Sequence, residues 1–167
     1  MNTEWKIEVL NQHSELSVKK ENVTKYLRQG LRDAAKIKKI SNNVNELSVV
    51  FTDDKEIKRL NKIFRQKNKP TDVLSFSQLE GGDEIDVTGT SLGDIVISLD
   101  TAIKQAVKYK VTQEQEVLRL LIHGLLHLLG YDHVDVPEAE AEKMRAQETL
   151  LFDQYNNSWR KPWIVSK

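Results

Sequence analysis

Cysteine is absent from the 167-residue sequence. Its absence excludes disulfides, thiolate metal sites, iron–sulfur clusters and cysteine nucleophiles. Net charge is absent as well, since 25 Lys and Arg balance 25 Asp and Glu. Taken as a total, that balance gives no reason to expect a nucleic-acid partner. No apolar run has the length of a membrane span. The most apolar window, Val117–Leu129, has 13 residues and holds Arg119 and two histidines, against the ~20 apolar residues a span needs. The opening Met1-Asn2-Thr3-Glu4-Trp5-Lys6 has no basic stretch leading into an apolar one. No targeting segment is therefore expected, and the default location is cytoplasmic. No internal repeat and no linker stands out.

What is present is an ordinary globular balance of 39% apolar and 30% charged residues, at a length that suits one domain or one domain plus a tail. Trp5, Ile7 and Val9 alternate with Glu4, Lys6 and Glu8, which predicts a half-exposed strand. Within Ser17–Ile40, Val23, Tyr26, Leu27, Gly30, Leu31, Ala34 and Ala35 recur at helical spacing beneath a lysine-rich outer face. Leu47–Phe51 reads as a short strand, apolar on both faces. Asp53, with Glu56 three residues on, is a candidate cap for a helix whose inner face is Ile57, Leu60 and Phe64. Pro70 stops it. Val73–Phe76 and Leu92–Leu99 read as strands, and the glycines and acids of Glu80–Ser91 predict a mobile loop between them. Helices are expected over Thr101–Tyr109, from a Thr112 cap to Gly130, and from Pro137 in a first turn. Met144, Leu151 and Tyr155 lie on one side of the last. The expected fold class is α+β: a single domain over residues 1–156, about four strands in a mixed sheet packed against about five helices, and a C-terminal tail over 157–167.

Three of the four histidines fall within eleven residues, His123-Gly124-Leu125-Leu126-His127-Leu128-Leu129-Gly130-Tyr131-Asp132-His133. On a helix, residues i and i+4 lie one above the other, roughly 5–6 Å apart at Cβ, so His123 and His127 can reach one cation. Gly130 sits where the helix has to stop for His133 to fold back to the same point. This places a metal site at the end of a central buried helix. Three neutral imidazoles suit Zn²⁺ at ~2.0–2.1 Å, with a fourth position left for water, as in catalytic rather than structural sites. Nickel and cobalt also accept imidazole. Packing alone would leave three neighbouring imidazoles with donors to satisfy. The spacing H-x-x-x-H-x-x-G-x-x-H is also that of metzincin proteases. Those enzymes carry a general-base glutamate directly after the first histidine; here that position is Gly124.

From Lys55 to Lys69 there are seven basic residues, Lys55, Lys58, Arg59, Lys62, Arg65, Lys67 and Lys69, against Glu56 alone, a net +6. A solvated helix face is the commoner meaning of such a run. But Arg65, Lys67 and Lys69 lie beyond the last apolar helix position, beside Pro70-Thr71-Asp72-Val73. Basic groups at a helix end and loop can clamp a phosphate, arginine with a bidentate fork.

The histidine segment resembles the signature of the YbeY endoribonucleases. Three further stretches agree in order and spacing: Leu60-Asn61 through Phe64-Arg65, Lys69-Pro70-Thr71-Asp72-Val73-Leu74-Ser75-Phe76, and Leu92-Gly93-Asp94-Ile95-Val96-Ile97. The resemblance is close from Leu47 to Tyr155 and holds in pattern only before that. Ser77 stands where many members carry proline. The resemblance implies a metal-dependent, single-strand-selective RNA hydrolase. Such enzymes act in maturation of ribosomal RNA, notably at the 3′ end of the small-subunit RNA, and in ribosome quality control. It implies one zinc per chain on His123, His127 and His133, and Arg65 as an essential arginine. The implied partners are single-stranded or ribosomal RNA and the small ribosomal subunit, with no membrane.

On this reading Arg65 neutralises charge growing on the non-bridging phosphate oxygens. Lys67, Lys69 and Arg59 guide the RNA backbone, and Asp132 supports a histidine from behind. The attacking group, water or the neighbouring 2′-OH, is left open. Two other classes stand beside it: a metallopeptidase, and a non-catalytic ribosome-assembly factor with a structural zinc. For the tail Trp159-Arg160-Lys161-Pro162-Trp163, packing or disorder is favoured over partner binding. The charge balance divides into segments, +6 over Lys55–Lys69, +6 over Ser17–Ile40 and −7 over Asp72–Asp100. That distribution allows a basic groove beside the metal, with a modest RNA affinity that falls with salt.

Overall fold

The computed structural model describes residues 4–37, 40, 42–78 and 90–167. In chain order they form β1 (Lys6–Asn11), β2 (Leu16–Val18), α1 (Lys20–Ala35), β3 (Glu46–Thr52), α2 (Asp54–Arg65), β4 (Val73–Ser77), β5 (Ser91–Ser98), α3 (Leu99–Tyr109), α4 (Gln113–Leu128), α5 (Glu138–Tyr155) and β6 (Ile164–Ser166). The expected α+β architecture is present, with a four-stranded mixed sheet in the order β1-β3-β5-β4. β1, β3 and β5 run parallel, and β4 lies antiparallel along β5 at the sheet edge.

The two-faced apolar pattern of β3 puts the sheet between helical layers. Leu47, Val49 and Phe51 face the main core with Ile95 and Ile97 of β5. Val50 faces the smaller cluster formed by Ile57, Leu74 and Val96 under α2. α4 is buried on most sides, through Val117, Leu118, Leu120, Leu121, Ile122, Leu125, Leu126 and Leu128. A helix apolar nearly all round belongs in the interior, and each such side chain contributes about 1.5–3 kcal/mol on burial. Gly124 lets α4 press onto the sheet, because a Cβ there would lie 2.8 Å from Ile95 Cγ2.

Capping sets the helix starts. Asp53 accepts from the Glu56 N–H at 2.8 Å, although the Glu56 carboxylate pairs with Arg59 instead of closing a capping box. Thr112 and Gln115 form the complete box at the start of α4. α3 begins at Leu99 under a Ser98 cap, two residues before its expected start. Pro137 is the N-cap of α5 rather than a residue of its first turn.

The N-terminal end of the long lysine-rich helix needs correction. Leu16, Ser17 and Val18 form β2 and pair with Ser166, Val165 and Ile164 of β6. Asn11 brackets Val18, accepting from its N–H at 2.9 Å and donating to its carbonyl at 3.0 Å. α1 therefore starts at Lys20, and it ends at Ala35. Residues 157–167 pack against the body: Trp163 is fully buried against Tyr26 and Trp159. The loop expected over Glu80–Ser91 lies largely outside the described residues; Ser91 already belongs to β5.

Candidate metal centre and basic cleft

The last two turns of α4 carry His123 and His127, one helical turn apart. The helix stops at Leu128, and Gly130 takes a left-handed φ of 85°, which an L side chain adopts only with strain. The reversal is tied down where the Tyr131 N–H donates to the Leu126 carbonyl at 3.0 Å. Asp132 tightens it further, accepting from the backbone N–H groups of His133 at 2.7 Å and Val134 at 3.0 Å. These backbone bonds hold the Asp132 carboxyl below its ordinary range. The sequence reading gives Asp132 a supporting role for a histidine; in the fold it braces His133 through the backbone N–H.

The turn returns His133 to the helix end. Its Nε2 lies 3.3 Å from His123 Nε2, and His127 Nε2 lies 3.2 Å from the same atom. One ring nitrogen from each of the three falls within 4.8 Å of the others. Nitrogens held tetrahedrally at ~2.0–2.1 Å from one ion stand about 3.3 Å apart, so the donor set fits a metal. Burial and the neighbouring His123 and His133 push His127 down to about 4, which keeps it neutral and able to ligate at pH 7.

Two groups missed from the sequence stand behind the triad. Glu148 of α5 lies 3.0 Å from His123 Nδ1. Burial works to raise its pKa, but the His123 hydrogen bond and the Arg119 charge outweigh that and hold it ionised. Arg119 bonds Glu116 through two nitrogens at 2.6 and 3.2 Å and lies 3.6 Å from Glu148. The available signal was the stripe of Met144, Leu151 and Tyr155, because Glu148 is an acid set on that apolar spacing.

The triad opens into a cleft of about 730 Å³ that Arg65, Lys67, Lys69, Asn61, Ser75 and Ser77 also line. Arg65 donates from Nη2 to the Ser75 carbonyl at 2.9 Å, bracing the end of α2 on β4. Gln66 terminates α2 in a left-handed conformation. Buried Asn61 then fixes the following loop, donating to the Lys69 carbonyl at 2.8 Å and accepting at its own carbonyl from the Lys67 N–H at 3.2 Å. Arg59 is not brought to the cleft lining. Its guanidinium is engaged by Glu56 one turn away on the exposed side of α2.

A family model described as Endoribonuclease YbeY matches residues 8–156. The chain belongs to the YbeY endoribonuclease family. A YbeY endoribonuclease from Aquifex aeolicus is 50% identical over 119 residues, 70% of this chain and 74% of that protein. One from Desulfitobacterium hafniense is 42% identical over 137 residues, 80% and 85% of the two chains. The solution structure of TM1509 from Thermotoga maritima superposes with a TM-score of 0.54 at 25% identity, covering 93% of this chain and all of that one. The YbeY match spans the histidine segment, Arg65 and Glu148 and ends before residues 157–167. Gly124 further separates the site from the metzincin pattern, because a side chain at 124 would run into Ile95 of the sheet. No helix among the described residues is long and apolar enough to cross a membrane.

Proposed function

We propose that this chain is a zinc-dependent endoribonuclease that cuts single-stranded RNA. It acts in the cytoplasm on ribosomal RNA, at the 3′ end of the small-subunit RNA, with the small ribosomal subunit as partner, and in ribosome quality control. The observation that carries the reading is the convergence of three imidazole Nε2 atoms in the same cleft as Arg65, Lys67 and Lys69. His123, His127 and His133 hold one zinc per chain, and a zinc so held polarises a phosphate oxygen and lowers the pKa of water.

The protein groups have separable tasks. Glu148 accepts the His123 Nδ1 proton, which leaves the Nε2 lone pair facing the metal position. Arg65 spends one of its five donors on Ser75. The others serve the non-bridging oxygens, where charge grows as the phosphodiester is attacked. Lys67 and Lys69, on a loop fixed by Asn61, hold the flanking phosphates. Arg59 has no part in this arrangement.

Metal analysis paired with cleavage of a single-stranded RNA tests the reading. Wild type is expected to carry about one zinc per chain and to cut. His127→Ala should lose both metal and cutting. Arg65→Ala should keep its metal and lose turnover by about 10²–10³-fold, the usual effect of removing one transition-state donor. Full RNase activity in metal-free protein would overturn the proposal, as would casein cleavage without RNA cleavage.

A further inference from the structure

Phe64 directly precedes Arg65 at the end of α2 and is 60% exposed. Its ring meets that of Phe76 edge-to-face, with centroids 5.1 Å apart and planes at 65°. Phe76 is half-buried against Ile57, Leu74 and Val96. In β4 it lies between Ser75 and Ser77, and because strand side chains alternate it faces α2 while those two serines face the cleft. The contact fixes the orientation of Phe64 while leaving most of its ring in solvent. A large aromatic side chain is thus held open at the end of α2, beside the cleft rather than in its lining and one residue from the cation that the RNA reading places on a phosphate.

We propose that Phe64, steadied by Phe76, is a stacking platform for one nucleobase of the RNA strand whose backbone lies on Arg65, Lys67 and Lys69. The proposal rests on the RNA-cleavage reading and adds the group that recognises bases. Three neighbouring cations draw in the phosphates. The bases of that strand then need an apolar, flat surface beside the cationic track, and single-strand sites combine these two elements. In a duplex each base face is already covered by its neighbours, whereas a single strand can splay a base onto an aromatic ring. The platform therefore accounts for preference for single strands without reading any base edge.

The test compares wild type, Phe64→Leu and Phe64→Trp, each loaded with zinc, on a short single-stranded RNA and on the same strand made abasic around the cleaved bond. Phe64→Leu keeps an apolar side chain but loses the π face. It is expected to raise KM for the intact strand about tenfold, the scale of one lost base–aromatic stack, with metal content unchanged. Phe64→Trp should restore wild-type KM. On the abasic strand wild type and Phe64→Leu should be equal. The salt dependence of kcat/KM should keep the same slope in all three proteins, because no phosphate contact is removed. Equal KM values for wild type and Phe64→Leu on the intact strand would overturn the platform, as would an equal loss on the abasic strand. If zinc-loaded wild type fails to cut the intact strand, the RNA-cleavage reading itself falls and the platform with it.

Discussion

Glu148 on α5 holds His123 on α4 through a 3.0 Å contact between Oε2 and Nδ1. The carboxylate fixes which imidazole nitrogen carries the proton and keeps Nε2 turned toward His127 and His133. Outer partners of metal-bound histidines set ligand orientation and basicity, and losing one costs about 10–100-fold in metal affinity. Glu148→Ala should therefore weaken zinc binding by that factor in a competition titration against a chelator. Cleavage should recover when zinc is raised to saturation. Unchanged affinity would show that the contact is incidental to the ligands.

The distance between these helices in the sequence explains what could and could not be read in advance. His123, His127 and His133 were legible because one helical turn and one glycine stop are local features. Glu148 lies 25 residues further on, and only the packing of α5 on α4 brings it to the ring. Asn61 was visible as part of a motif, but its task, holding the Lys69 carbonyl, depends on where the loop returns. Arg59 shows the reverse case. Charge type was clear, while the capture of its guanidinium by Glu56 three residues earlier depends on the helix face. The β2–β6 ribbon joins two three-residue strands from opposite ends of the chain, too short to carry a period and set by the burial of Trp163.

The pH response of the metal-free protein follows from His127. Burial and the two neighbouring imidazoles push it down to about 4 when folded, against an ordinary value of about 6.5 in the unfolded chain. Between these values the unfolded chain binds the extra proton, so stability is highest above about 6.5 and declines as pH falls toward 4. Urea midpoints in the presence of chelator should fall between pH 7 and pH 5. His127→Asn should flatten that decline. Glu148 and Asp54, both held below their ordinary range, add their own losses only at lower pH. An equally steep decline in His127→Asn would assign the effect to other groups.

Gly124 carries a packing requirement. A methyl group at this position would stand 2.8 Å from Ile95 Cγ2 and 3.2 Å from its Cδ1, inside ordinary contact distance. Gly124→Ala should destabilise by about 1–3 kcal/mol, the usual cost of overpacking a filled core, seen as a lower denaturant midpoint. In an Ile95→Ala background, itself destabilised by the lost side chain, the Gly124→Ala step should cost less, because the truncation opens the space. If Gly124→Ala is neutral, the helix and sheet adjust to the added methyl and the close approach is not what this position demands.

Trp163 anchors the last residues of the chain to the first helix. Its indole is fully buried, 5.9 Å between ring centroids from both Tyr26 and Trp159, and its carbonyl accepts from the Lys19 N–H at 2.8 Å, one residue before α1. Removing the ring leaves a large cavity and releases β6 from β2. Trp163→Ala should lower unfolding free energy by about 3–5 kcal/mol, as other buried aromatic truncations do, while metal stoichiometry in the fraction that remains folded stays at the wild-type value. The two readouts separate anchoring from chemistry. A loss below 1 kcal/mol would mean that the tail lies on the body without supporting it. Loss of zinc from folded protein would mean instead that the ribbon reaches the site through α1 and α4.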